Sequence, residues 1–139
     1  MHRLPPMQVS RSAGAAVALP DGRVCVAGGR NTRCPSADGE HASVEFCNLP
    51  SDWQTASASE FWHQAAPMMK PRSSFAMAYF KVRVIATGGG PKGQRAELFS
   101  PPDADHPFGQ WTLTTFFSNL NSCTSLVICN DRLFAVGGE

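Results

Sequence analysis

Three short stretches constrain what this 139-residue chain can fold into: Val24-Cys-Val-Ala-Gly-Gly29, Val84-Ile-Ala-Thr-Gly-Gly89 and Leu133-Phe-Ala-Val-Gly-Gly138. Each is a four-residue apolar run closed by a glycine pair. The run reads as a buried strand, and the glycines as an exit that needs positive φ or close backbone contact. The glycine pairs are 60 and then 49 residues apart, so the chain is a repeat protein whose loops vary in length while its strands keep their register.

The surroundings of each run repeat as well. Ser12 to Leu19 is small and apolar, and Pro20-Asp-Gly22 turns it into the first glycine-pair strand. Arg30 to Ala42 is a long polar loop, Ser43 to Pro50 a third strand, Asp52 to Ser59 a loop and Phe61 to Gln64 a short fourth strand. The cycle restarts where Ala66-Pro-Met68 matches Pro5-Pro-Met7, and Arg72 follows Met68 by four residues as Arg11 follows Met7. Ser73 to Phe80 and Val82 to Gly89 are the next strand pair. Arg95 to Pro102 aligns without gaps to Ser43 to Pro50, placing Glu97 on Glu45. Trp111 stands six residues before Phe117, as Trp62 stands six before Met68. The expected divisions are 1–10, the end of a preceding unit; 11–67 and 68–116, two full units; and 117–139, the first half of another.

Composition supports many short strands over long helices: 42% hydrophobic, 17% charged, 12 Gly and 11 Pro. A net charge of +1 leaves no electrostatic drive toward nucleic acid or a membrane surface. No apolar run approaches the roughly 18 residues that would suggest a membrane-spanning helix, and the N-terminus lacks the apolar core of a secretion signal. Five cysteines, an odd count, and no Asn-x-Ser/Thr acceptor fit a reduced, cytoplasmic protein better than a disulfide framework.

Pro-Met, an arginine four residues on, a strand ending in Gly-Gly, a glutamate in the next strand and then a tryptophan: this order resembles the kelch repeat. The resemblance covers essentially the whole chain. It implies an all-β fold of four-stranded antiparallel blades belonging to a β-propeller. Gly28-Gly29, Gly88-Gly89 and Gly137-Gly138 would then close the second strand of each blade, and Glu45, Glu97, Trp62 and Trp111 would hold neighbouring strands together. This chain departs from the pattern in three places. Cys47 stands where the second unit has the aromatic Phe99. Asn121 stands where the others have Arg11 and Arg72. Phe80-Lys-Val82 lacks the usual turn glycine. Two and a half blades fall short of the four to eight or so that close a propeller, so the chain is expected to be a piece of a longer protein, or to self-associate through open blade edges.

Several chemistries compete with this reading. Gly88-Gly-Gly90-Pro-Lys-Gly93 matches the dinucleotide pattern G-x-G-x-x-G, but Gln94 to Phe99 runs into Ser-Pro-Pro and leaves no room for the helix the pattern needs. Cys34, His41 and Cys47 lack the short paired spacing of a zinc site. Cys25, Cys123 and Cys129 read as small buried hydrophobes, and Cys34, between Arg30 and Arg33 in a polar loop, as the candidate reactive thiol. His2, His41, His63 and His106 stand in no recognisable catalytic arrangement, and Tyr79 sits alone inside a strand. The chain is therefore expected to be no enzyme and to carry no cofactor or metal.

The candidate partner contacts are Arg11, Arg30, Arg33, Trp53, Arg72, Lys92 and Arg95. Arg11 and Arg72 either pair with acidic groups of a bound peptide or bond within the chain; Trp53, without a counterpart in the second unit, is a candidate exposed anchor. The expected function is protein–protein recognition by loops on one face. The resemblance implies the substrate-capturing part of a cullin-type ubiquitin ligase adaptor of the BTB–kelch kind, with an actin-binding scaffold as the alternative and an enzyme of propeller fold as a remote one.

Overall fold

A computed structural model describes residues 3–31, 39–49, 61–89, 95–114 and 125–137. Over these residues the chain is all-β. β1 (Ala15–Ala18), β2 (Arg23–Ala27), β3 (Val44–Asn48) and β4 (His63–Ala65) form one antiparallel sheet in sequence order. β5 (Phe75–Phe80), β6 (Arg83–Gly88), β7 (Glu97–Ser100) and β8 (Gln110–Leu113) form a second of the same order. β9 (Ser125–Cys129) and β10 (Arg132–Val136) make a two-stranded third.

Several strand limits differ from the sequence expectation, and two of the differences have a direct cause. β1 starts three residues late, because Ala13 takes a positive φ of 57° and Ser12 makes only an isolated bridge to Arg30. β4 starts at His63 rather than Phe61, because Trp62 turns aside: its carbonyl accepts from Gln8 Nε2 at 2.7 Å instead of joining the ladder.

The hairpins show how the missing turn glycine is managed. Lys81 and Val82 between β5 and β6, and Asn130 and Asp131 between β9 and β10, all have positive φ. Two consecutive left-handed residues give the turn that matches strand twist. Asn and Asp adopt that conformation readily; a β-branched valine does not.

Side chains alternate across each strand, so each sheet has two faces, and the register assigns them. In the first sheet Cys25 pairs with Phe46 and Ala27 with Val44 on the front, while Val24 pairs with Cys47 and Val26 with Glu45 on the back. In the second, Val84 pairs with Phe99 and Ala86 with Glu97 on the back. The front of the first sheet packs on the back of the second as one buried core of Cys25, Ala27, Val44 and Phe46 with Met68, Phe75, Val84, Phe99 and Trp111. The Phe46 and Phe99 rings stack across it at 5.6 Å, and Phe99 meets Trp111 at 4.8 Å. β1 lies beside β5 and β5 beside β9, so the three sheets stack in series. A cleft of about 450 Å³ between the last two is lined by Phe80, Ile85, Leu133 and Phe134.

Candidate functional site

The residues singled out by the repeat converge on one joint, built twice. In the first sheet, Glu45 on β3 accepts the main-chain N–H of Gln8 at 2.8 Å and of Val9 at 3.3 Å, and pairs with the Arg11 guanidinium at 2.9 Å. Arg11 Nη1 also donates to the carbonyls of Gly28 and Ser43. In the second, Glu97 on β7 accepts from the N–H groups of Met69 and Lys70 and pairs with Arg72 at 3.0 Å. Arg72 in turn donates to the carbonyls of Gly88 and Arg95. Each partner occupies the equivalent place in its unit. The indoles repeat too: Trp62 Nε1 donates to the Pro5 carbonyl at 2.9 Å and Trp111 Nε1 to the Ala66 carbonyl at 2.8 Å.

Each joint ties the segment that leads into a sheet to that sheet's second and third strands. The guanidinium's fixed fork of donors suits this work, bridging a carboxylate and two carbonyls at once. Both arginine side chains are essentially solvent-free, at 1% and 0% exposure. Burial draws the Arg72 guanidinium below its ordinary pKa, and the Glu97 charge opposes that shift. Arg11 and Arg72 thus take the intramolecular alternative. As partner contacts they are corrected: an acidic peptide cannot reach a cation enclosed with its own carboxylate.

The glycine pair belongs to the same joint. A Cβ on Gly28, at φ +64°, would stand 2.5 Å from the Arg72 carbonyl and 2.5 Å from the Phe75 ring, both on the next sheet. A Cβ on Gly89, at φ +70°, would collide with the Ser73 carbonyl and lie 2.6 Å from the Phe75 Cβ. Gly29 N–H donates to the Arg72 carbonyl at 2.7 Å, and Ser74 N–H to that of Ala13 at 2.8 Å, stitching one sheet to the next. Gly137 follows β10; Gly138 lies outside the described residues.

Around these joints runs one rim of the stack. The connections β2–β3 and β6–β7 both emerge there, next to the lead-in segments of β1 and β5. Arg30 donates from Nη2 to Glu40 at 3.0 Å and from Nε to Ser73 Oγ at 3.1 Å, while Ser73 Oγ donates to Glu40 at 2.8 Å. The Arg30 side chain is still 45% exposed, and Arg95 is exposed on the same rim. Just inside, His41 Nε2 and Ser43 Oγ are buried with no hydrogen-bond partner among the described residues. Arg33, Trp53 and Lys92, like Cys34 and Cys123, lie outside the described residues.

The remaining reactive groups sit apart from the rim. Burial pushes the Cys25 thiol up to about 12, against the charges of Arg11 and Arg23, and raises Cys47 as well. Cys129, expected in a core, is exposed, because it ends β9 on the uncovered side of the third sheet. Asp103 caps its own turn, accepting from the N–H groups of His106 and Asp105, and the His106 bond above all lowers its pKa. No group of three metal-ligating side chains occurs among the described residues. The paired charges were legible as repeated positions; that the arginine of each unit belongs to the glutamate of the same unit was not. The available signal was that Arg and Glu recur together, one cation with one anion in each unit. No family model matches the chain, and no curated protein matches it.

Proposed function

We propose that the chain is part of a kelch-type β-propeller and that it recognises a protein partner through the rim bearing Arg30 and Arg95. The architectural half of this reading is supported by two four-stranded meanders that carry the same arginine–glutamate–glycine–tryptophan joint and stack front to back. The functional half rests on one observation. The connections after both glycine pairs leave on the same rim, and their cations are held on a frame stiffened by buried ion pairs. Arg30 is braced by Glu40 and Ser73 yet nearly half exposed. Side chains presented from a rigid frame lose less freedom on binding than those on a loose loop.

The matching ligand is an acidic peptide segment, which guanidinium groups engage by paired hydrogen bonds. Capture of a substrate for a cullin-type ubiquitin ligase is the setting the kelch resemblance implies; filament binding is its alternative. The test uses the full chain and a set of short acidic peptides followed by fluorescence anisotropy. Arg30→Glu and Arg95→Glu should each weaken binding about tenfold, with the circular dichroism spectrum unchanged. Binding indifferent to both reversals, or absent, removes the peptide reading. Co-sedimentation with actin filaments in its place favours the scaffold.

A further inference from the structure

The charged pair on the rim is not part of the repeated joint. Arg30 follows the first glycine pair, whereas Gly90 follows the second and Glu139 the third. The frame repeats without this cation, so its setting is particular to the seam between the first two sheets. Past Gly29 the first sheet continues for one more rung. Arg30 bridges Ser12 on one side and Glu40 on the other. Main-chain bonds from Asn31 to Gly39 at 3.1 Å and from His41 to Gly29 at 2.9 Å flank the Arg30–Glu40 bridge. The two side chains meet because their main chains are held opposite each other, in the kind of cross-strand pair where side chains stand closest.

Ser73, from the lead-in to β5, fixes this pair from the second sheet and is only 6% exposed. Its hydroxyl donates to Glu40 Oε1 at 2.8 Å and accepts from Arg30 Nε at 3.1 Å, while Arg30 Nη2 donates to the same Glu40 oxygen at 3.0 Å. A guanidinium carries five N–H groups in a planar fork. These bonds occupy one edge of it, Nε with the inner hydrogen of Nη2. The other edge, Nη1 with the outer hydrogen of Nη2, makes no bond among the described residues, and the side chain is 45% exposed. That edge is a paired donor for a planar anion. Arg95 is tied to the same segment, since Arg72, next to Ser73, donates to its carbonyl.

An anion on the open edge shares Nη2 with the Glu40 carboxylate, so two negative groups surround one cation. Glu40 cannot step back, because the main-chain bridge and the Ser73 hydroxyl both hold it. Repulsion then grows with the charge of the ligand. A carboxylate brings one negative charge, a phosphate monoester about 1.5–2 at neutral pH. Resting on the reading of this rim as a site for acidic segments, we propose that Glu40 sets its selectivity. It leaves Arg30 open to a ligand carboxylate and turns a phosphate away, a specificity built from a repulsive element. Ser73 is the positioning residue that keeps Glu40 in place.

The test uses the full chain and two fluorescein-labelled acidic peptides, identical except that one has a central glutamate and the other a phosphoserine. Anisotropy reads both affinities. The wild type should bind the glutamate peptide more tightly. Glu40→Gln removes the charge and keeps the shape. It should move the ratio of the two affinities about tenfold toward the phosphopeptide, with an unchanged circular dichroism spectrum. If Glu40→Gln fails to fold, Glu40→Thr replaces it, a side chain suited to extended main chain. Ser73→Ala leaves the carboxylate charged but less firmly held, and should move the ratio the same way by a smaller factor. A ratio that loss of the Glu40 charge leaves unchanged, while acidic peptides still bind, overturns the proposal alone. So does a wild type that prefers the phosphopeptide. Binding of neither peptide to any of these proteins removes the rim reading itself, and the proposal with it.

Discussion

At the level of single residues, the buried Arg72–Glu97 pair separates two roles that the sequence left open. An arginine that served a partner could be removed without disturbing the fold. One that closes a joint cannot, because Arg72→Met leaves the Glu97 charge buried without its counter-ion and the Gly88 and Arg95 carbonyls without a donor. Breaking such a pair costs about 3–5 kcal/mol, against a total stability of about 5–15 kcal/mol for a domain. The urea midpoint of Arg72→Met should fall accordingly, and Arg72→Lys should recover little, since an ammonium cannot span three acceptors in one plane. A midpoint equal to wild type sinks the structural role. Cys25 gives a second prediction at this scale. Burial pushes its thiol up to about 12 in the folded chain, from an ordinary value of 9.0. The unfolded chain therefore loses that proton first as pH rises, and the stability Cys25 contributes is complete below about pH 9 and lost toward pH 12. Relative to Cys25→Ala, the wild type should lose on the order of 1 kcal/mol per pH unit across that window, read from urea titrations. Parallel curves for the two proteins would contradict it.

Among the elements, those with repeated chemistry were legible and those set by neighbours were not. The glycine-pair strands and the glutamate strands stand where the spacing puts them, because three or two copies of one apolar pattern fix both period and face. The start of β4 was misplaced because Trp62 bonds to the lead-in segment, a tertiary choice that strand propensity does not carry. The β5–β6 turn was legible only as an anomaly, a hairpin without glycine. In the structure its cost is visible: Val82 is held at φ 62° with 73% of its surface in water, so neither packing nor conformation recommends valine there. Val82→Gly should relieve a strain of about 1–3 kcal/mol for a left-handed β-branched residue, less the entropy that glycine adds to the unfolded chain. A net gain of about 1 kcal/mol, seen as a higher urea midpoint, is expected; a lower midpoint would mean that the turn has another conformation.

Across the whole molecule, stability should be graded along the stack. Nothing in the spacing of glycine pairs says which sheet faces which, so the order of burial came from the structure and not from the repeat. The first two sheets share one core and exchange main-chain hydrogen bonds at Gly29, Ser74, Ala66 and Met68; they should open together, as one cooperative unit. β9 and β10 contribute no residue to that core, and their front is exposed. Amide exchange should therefore be slowest in β2, β3, β6 and β7 and fastest in β9 and β10, with the inner-strand contact of β5 and β9 giving the third sheet its residual protection. Protection in β9 and β10 equal to that of the central strands would instead mean that the third sheet is anchored by contacts other than those described.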